Sequence, residues 1–508
     1  MNMPAKEIKE LRKSGKFEEA LEMAKAELQP DPSNIWAKRN ISWVYYDYVK
    51  LNVAPQHCDE FISWLAEING LQLGTEEKML FENLSWQIGK MVFALHKENT
   101  SDVQKTMQLL ETIKSYPFTK PSESYSFLFK AFHKSLKDSD NYNQFADWWN
   151  LENLRTEDFE KEKLPDGKEV MSIAEQAYIT YAKHLLPKHL QNGEIIFNEE
   201  KAESFLLSLD NIIKNYPQYQ YPPYFKAKLL LALGDIESMR STLMPFAKKK
   251  KNDFWVWDLL SETYPDDKEK ILACYCKALT CQSPEEMLVN LRQRMASIMV
   301  QKRFYDEAKT EIELLVKSKQ SNGFRIPVEV LNWTEQDWYR NATVKSSNSD
   351  FYKKYSVIAD GLVFGDIQQE VIVAEFVNSD KKILNFVASK TRSGFFKYDR
   401  FLKKVEIGDK FLARLEGSGA NTRYNVITLE KTELPANNEI MKEFNGKIRK
   451  NENQPFGFVD DIFIEPRLIE KQKLVDGNEL SGTAIISFNK KKNDWGWKAI
   501  KLMNQIHS

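Results

Sequence analysis

Near residue 320 this chain changes its hydrophobic period, and the change restricts its fold more than any other feature. Upstream, apolar residues recur three and four apart, as across residues 75–95, 103–113 and 202–213, the spacing that lines up one face of a helix. Beyond residue 352 the runs become short, rich in β-branched and aromatic residues, and punctuated by turns. Helix stripes are covered by stacking helices on one another, whereas short strands bury their apolar side by curling into small barrels. The expected fold is therefore multidomain α + β, with an N-terminal α-solenoid of helix pairs followed by two small β-barrels.

At 508 residues the chain has material for about three units. The expected boundaries are 1–320 for the solenoid, 321–350 for a linker, 351–435 for the first barrel and 436–508 for the second. The linker holds Trp333 and Trp338, which need a domain to pack on, and a polar Ser/Asn tract over residues 341–350. Expected strands are residues 355–364, 370–376, 383–388, 410–415 and 424–429 in the first barrel. Those of the second are residues 444–450, 455–460, 461–464, 482–488 and 497–502.

A net charge of −1 excludes a uniformly basic nucleic-acid coat, so any such binding must come from a local patch. Residues 352–508 carry 26 Lys and Arg against 21 Asp and Glu, a balance of +5, which leaves −6 for residues 1–351. Four cysteines, Cys58, Cys274, Cys276 and Cys281, are too few for a disulfide framework. The first residues show no charged-then-apolar leader, and no run reaches the length needed to span a bilayer. A cytoplasmic protein without membrane contact is expected.

The first forty residues hold the clearest repeat. Leu11, Gly15, Phe17, Ala20, Leu21, Ala24, Leu28 and Pro32 place a small residue at a turn, small residues where two helices touch, and proline where the second helix ends. Gly15-Lys16-Phe17-Glu18-Glu19-Ala20-Leu21 followed by Asp31-Pro32 resembles the tetratricopeptide repeat. Two further turns, Leu233-Gly234-Asp235 and Gln301-Lys302-Arg303-Phe304, are similar in kind. The resemblance implies a TPR-like solenoid whose concave face docks a protein.

No catalytic constellation emerges. The six histidines show no metal-ligand spacing, and phosphate-loop, dinucleotide and nucleophile-elbow motifs are all missing. Neither a cofactor nor a metal is expected. Residues 148–168 interrupt the helical pattern and end in the turn signal Pro165-Asp166-Gly167, so an exposed hairpin or loop is expected. Trp148 and Trp149 there read as core aromatics in preference to partner anchors. The run Lys248–Lys251 follows a helix and reads as a solvated end, with a phosphate contact as the alternative.

The binding chemistry is concentrated in the barrels. In Pro455-Phe456-Gly457-Phe458-Val459-Asp460-Asp461-Ile462-Phe463-Ile464, alternation puts Phe456 and Phe458 on one face, with Phe463 joining them from the next strand and Ile462 and Ile464 turned to the core. Exposed rings of this kind stack unpaired bases. Lys447, Arg449 and Lys450 are the basic candidates of the same stretch. In the first barrel Lys390, Arg392, Phe395, Phe396, Lys397, Tyr398 and Arg400 form a mixed basic and aromatic loop, and alternation sends one of each adjacent aromatic pair inward.

These stretches resemble OB-fold domains. Lys404-Val405-Glu406-Ile407-Gly408-Asp409-Lys410 is similar to the entry of a late strand in S1-like and cold-shock-like domains. Gly446-Lys447-Ile448-Arg449, Phe456-Gly457-Phe458-Val459, Asp461-Ile462-Phe463-Ile464 and Asp476-Gly477 follow the order of the cold-shock domain. That resemblance implies base stacking by Phe456, Phe458 and Phe463. Two departures reduce the surface: Lys450-Asn451 stands where the family has a tryptophan-phenylalanine pair, and Glu465-Pro466 where it has histidine and phenylalanine.

The whole arrangement resembles the TPR and OB components of bacterial conflict systems of the TOTE type. It implies a non-enzymatic adaptor that binds single-stranded RNA or DNA through its barrels and a protein partner, such as a primase- or helicase-type effector, through its solenoid. The alternative is a protein-only scaffold whose barrels no longer bind nucleic acid.

Overall fold

The computed structural model describes residues 4–97, 100–163, 167–190, 192–417, 422–451, 454–489 and 494–503. Contacts divide the chain into two compact units, residues 1–249 and 250–508. Among the described residues no helix is long and apolar enough to cross a membrane, and no cluster of His, Cys, Asp or Glu is placed to hold a metal ion.

The first unit is largely helical and opens with the packed helices Pro4–Lys13 and Phe17–Leu28. Gly15 takes φ +77° between them, and Lys16 N–H closes on the Leu11 carbonyl at 3.0 Å, which caps the first helix in a conformation that glycine adopts without strain. Ala20 and Ala24 are fully buried on the second helix, so the two axes approach closely. Gly234 repeats the turn, with Asp235 N–H on the Leu230 carbonyl. In the second unit Arg303 takes the same place at φ +63°, with Phe304 N–H on the Met299 carbonyl.

Trp149 is fully buried and stacks on Tyr125 at 4.7 Å, while Trp148 donates its indole N–H to the Lys114 carbonyl at 3.1 Å. Both tryptophans serve the core. After Asn150 the chain forms two short 3-10 turns and a hairpin of Glu162–Lys163 with Glu169–Val170. Of its turn, Pro165 and Asp166 lie outside the described residues.

The second unit begins with helices Phe254–Ser261, Lys268–Thr280, Glu285–Gln301 and Tyr305–Ser321. Residues 321–350, read from sequence as a linker, contain two further helices, Val328–Thr334 and Asp337–Asn341. Trp333 is buried and Trp338 stacks on Tyr305 at 5.4 Å. The Ser/Asn tract is fixed by Asn348, whose amide donates to the buried Glu311 at 2.6 Å, and Glu311 also pairs with Arg292 at 2.5 Å. A buried carboxylate needs such partners to stay charged.

The expected strand at 355–364 is instead the end of helix Ser349–Phe364. Its buried residues Tyr352, Ser356, Ala359, Asp360 and Val363 recur three and four apart, and Asp360 pairs with Lys277 at 2.7 Å on helix Lys268–Thr280. A short apolar run fits either period, and here tertiary packing selects the helix.

Two sheets follow. The first comprises β1 (Gln369–Asn378), β2 (Ile383–Ser389), β3 (Arg392–Lys397), β4 (Lys410–Glu416) and β5 (Asn425–Lys431), in the order β3-β2-β1-β4-β5. Thr422 and Arg423, just before β5, pair in parallel with Gly394 and Phe395 of β3. The two edges thereby meet, and the sheet closes in the ring order 1-2-3-5-4 of an OB-type barrel. Gly394 sits at the seam, where a Cβ would lie 2.4 Å from the Thr422 carbonyl oxygen. The segment read from sequence as a basic and aromatic loop is thus largely strand β3, because its partner β2 supplies the hydrogen bonds that short-range patterning does not reveal.

The second sheet has β6 (Met441–Lys447), β7 (Gly457–Val459), β8 (Ile462–Ile464), β9 (Glu479–Asn489) and β10 (Asp494–Leu502), in the order β6-β9-β10-β8-β7. Arg449, two residues past β6, bridges to Phe458 of β7, and β8 runs parallel to β10, which gives the same ring. A short helix, Pro466–Gln472, follows β8. The two barrels share an apolar contact of Val373 and Val387 with Ile440, Ile485 and Ile486. Glu375 crosses it to accept from Ser487 Oγ at 2.7 Å and Phe488 N–H at 3.1 Å.

Candidate nucleic-acid interface

In the second barrel, period-two alternation separates core from surface as expected. Gly457, Val459, Ile462 and Ile464 are buried, Phe458 is 38% exposed, and Phe463 is half-buried on the same outer side. Phe458 and Phe463 are direct cross-strand partners. Phe456 completes the cluster, with ring centroids 5.9 Å from Phe458 and 5.5 Å from Phe463, and Phe458 lies 5.7 Å from Phe463. The three rings predicted as a platform are brought together.

Register extends the platform sideways. Arg449 lies opposite Phe458 in the bridge that closes the barrel, with backbone bonds of 2.7 and 2.9 Å in the two directions. On the far side Phe463 is partnered by Lys498 of β10. Directly opposed residues on adjacent strands share a face. The outer surface therefore carries Arg449, Phe458, Phe463 and Lys498 in one row across four strands, two rings flanked by two cations. Neighbouring strands stand about 4.8 Å apart, so the row spans several bases of a strand laid across it.

Glu465, which from sequence would repel phosphate at this edge, forms a 2.8 Å ion pair with Lys498. Arg449 also donates to the Asp460 carbonyl at 3.2 Å. Lys447 lies 4.0 Å from Glu479 with both side chains exposed, and such a pair contributes little. Lys450 uses its backbone N–H to bind Asp476 at 2.7 Å, which fixes the loop, and its side chain is partly exposed.

In the first barrel the predicted residues divide by strand face. Phe396 and Tyr398 are 2% and 3% exposed and belong to the core with Phe386 and Tyr424, which corrects their assignment as stacking residues: alternation turns their rings inward. Phe395 is half-buried on the outer side, and Lys390, Lys397 and Arg400 are exposed. Arg392 is engaged by Glu370 in a bidentate pair at 2.6 and 2.7 Å and lies over the Tyr424 ring at 5.4 Å. These hydrogen bonds to Glu370 raise its pKa above the ordinary guanidinium value. Arg392 therefore ties β3 to β1.

The corresponding row of this barrel is Phe376 of β1, Asn385 of β2, Phe395 of β3 and Arg423, each the register partner of the next. Phe376 is 50% exposed beside a β-bulge between Ala374 and Phe376. Bulges re-aim side chains in this way. Phe376, Arg423 and Lys498 were not singled out from sequence. The signal available there was only that each lies in a strand, and the partner that gives it a place is far away in the chain.

The cysteines are free; Cys58, Cys274 and Cys276 are buried, and burial pushes the thiols of Cys274 and Cys281 up to about 12. Such thiols are inert at neutral pH.

Comparison with known families agrees with the geometry. Residues 364–427 match the family model described as S1/CSD-like domain 1 of the TOTE conflict systems, and residues 442–502 match S1/CSD-like domain 2 of the TOTE conflict systems. Residues 220–359 match a domain of unknown function, DUF7017. No curated protein matches the chain. With two barrels in OB order and the aromatic row on the second, the C-terminal part of the chain is similar, in fold and in sequence, to the paired S1/CSD-like domains of these conflict systems.

Proposed function

We propose that this chain is a non-enzymatic adaptor of a conflict system that holds single-stranded nucleic acid on its tandem barrels. The observation that carries the reading is the row Arg449, Phe458, Phe463 and Lys498, in which two adjacent rings able to stack bases are flanked by cations able to meet phosphates. Strands 2 and 3 of an OB barrel are the usual oligonucleotide face, and β7 and β8 occupy that position.

Fluorescence anisotropy of the full chain with matched single-stranded RNA and DNA at several salt concentrations tests it. Binding that weakens log-linearly with salt is the expected result. Anisotropy that stays flat at low salt would overturn the reading in favour of a protein-only scaffold.

We further read the helix pairs as a TPR-like scaffold for a protein partner, an effector of primase or helicase type by the resemblance. In the first unit, helices Cys58–Gly70, Val103–Ile113 and Tyr142–Trp149 border an open groove of about 1000 Å³ lined by Ile62, Met107, Gln108 and Gln144 among others. Its lining of apolar and amide side chains, with the carboxylates Asp59 and Glu111, suits an extended peptide. Pull-down of a specific effector by the full chain, lost on Met107→Glu, is the expected outcome.

A further inference from the structure

Between helix Lys268–Thr280, the segment before Phe254 and the first barrel lies a cavity of about 400 Å³. Among the described residues five cations line it, Lys251, Lys277, Lys397, Arg400 and Arg423, against one carboxylate, Asp399. Lys251, expected from sequence at a solvated helix end, instead donates from its ammonium to the Val426 carbonyl at 3.0 Å and faces the Phe364 ring at 5.9 Å. Lys277 is held by Asp360 at 2.7 Å. Lys397, Arg400 and Arg423 are exposed and have no carboxylate partner among the described residues. Burial lowers the Lys251 pKa, and Lys277 and Arg400 lower it further, with Glu416 and Asp360 acting in the opposite direction. An anion in the cavity would relieve that repulsion.

Size and charge narrow the occupant. Pockets for small ligands start at about 300 Å³, so this space takes one nucleotide-sized group. A carboxylate brings one charge, whereas a phosphate monoester brings nearly two and three terminal oxygens, which suits several donors converging from different elements. Phe401, 38% exposed, also lines the cavity and offers an apolar surface. Arg423 belongs at once to this cavity and to the outer row Phe376, Asn385, Phe395 and Arg423. The cavity therefore lies at the end of that row.

We propose that this cavity is a seat for the phosphate monoester of a nucleotide, either the 5′-phosphate end of a strand lying on the first barrel or a free nucleoside monophosphate. The strand-end form rests on the nucleic-acid reading above, and the free-nucleotide form does not.

Calorimetry of the full chain with adenosine 5′-monophosphate and with adenosine reads the cavity alone, and anisotropy with 5′-phosphorylated and 5′-hydroxyl forms of one oligonucleotide reads the strand end. The monophosphate should bind while adenosine does not, and Arg400→Gln with Arg423→Gln should weaken it at least about tenfold. Lys397→Gln, at an exposed position, should weaken it by a smaller factor, and unchanged circular dichroism would show both variants folded. A preference for the 5′-phosphorylated strand that the double variant removes assigns the strand end; monophosphate binding without such a preference assigns the free nucleotide. Absence of monophosphate binding, or equal and variant-insensitive binding of adenosine and its monophosphate, together with no 5′-phosphate preference, would overturn the proposal. If no oligonucleotide binds, the proposed function fails while the monophosphate still reports on the cavity.

Discussion

The two barrels have the same ring order and close by the same kind of seam, yet their outer rows differ. The second presents Arg449, Phe458, Phe463 and Lys498, and the first presents Phe376, Asn385, Phe395 and Arg423, at matching strands of the ring. The second has two adjacent rings with a third, Phe456, against them; the first has two rings separated by an asparagine. Inward positions such as Phe386, Phe396 and Phe411, or Ile462 and Ile464, must fill a closed space, and that requirement keeps the two barrels alike. Outward positions carry no such constraint and are free to specialise. Under the proposed function the larger stacking surface lies on the second barrel, while the first offers two separated rings with Arg423 at the end of its row.

The largest expected effect follows from removing the rings of the second barrel. Phe456→Ala with Phe458→Ala should weaken single-strand binding by about 30-fold or more, since each stack is worth roughly 1–3 kcal/mol. Anisotropy on the full chain measures it, and an unchanged melting curve would confirm that the barrel still folds. Phe376→Ala in the first barrel should cost less, about fivefold. If it cost more than the double substitution, that ranking of the two surfaces would be reversed.

Asn385→Phe sharpens the comparison from the other side. It places a ring between Phe376 and Phe395, recreating an adjacent pair, and should tighten binding by about threefold. Loss of affinity instead would show that Asn385 already serves the ligand. The smallest effects concern charge. Lys498→Gln should reduce the slope of log affinity against log salt by about one unit. Glu465→Gln, which frees Lys498 from its 2.8 Å partner, should tighten binding by about twofold at low salt, an increment that disappears as salt rises.

Much of this arrangement was legible in the chain. Alternation alone placed Ile462 and Ile464 inside and Phe463 outside, because a strand turns each successive side chain to the opposite face. Gly15 and Ala20 marked the first helix pair for reasons as local as backbone sterics and close approach. The misreadings share one cause. Residues 355–364 read as strand because a short apolar run satisfies both periods, and only helix Lys268–Thr280 beside it settles which one holds. Residues 392–397 read as loop because the strand depends on its pairing with β2. Phe396 and Tyr398 were offered as stacking rings, and the closing of the barrel put both in its core.

What the sequence determined by itself was that a helical period gives way to a strand period, the inward and outward sorting across residues 456–464, and the aromatic cluster at Phe456, Phe458 and Phe463. These are properties of neighbours along the chain, set by backbone geometry over a few residues. Tertiary structure alone decided which cations stand beside those rings and which do not. Lys498 meets Phe463 from 35 residues away in sequence, Arg423 joins Phe395 across the seam of the first barrel, and Glu370 pairs with Arg392. Lys251 joins the cation-lined cavity only because helix and barrel fold against each other, bringing it to Val426 from 175 residues away. Cross-strand register is fixed by which apolar faces can be buried together, and no local pattern encodes that choice.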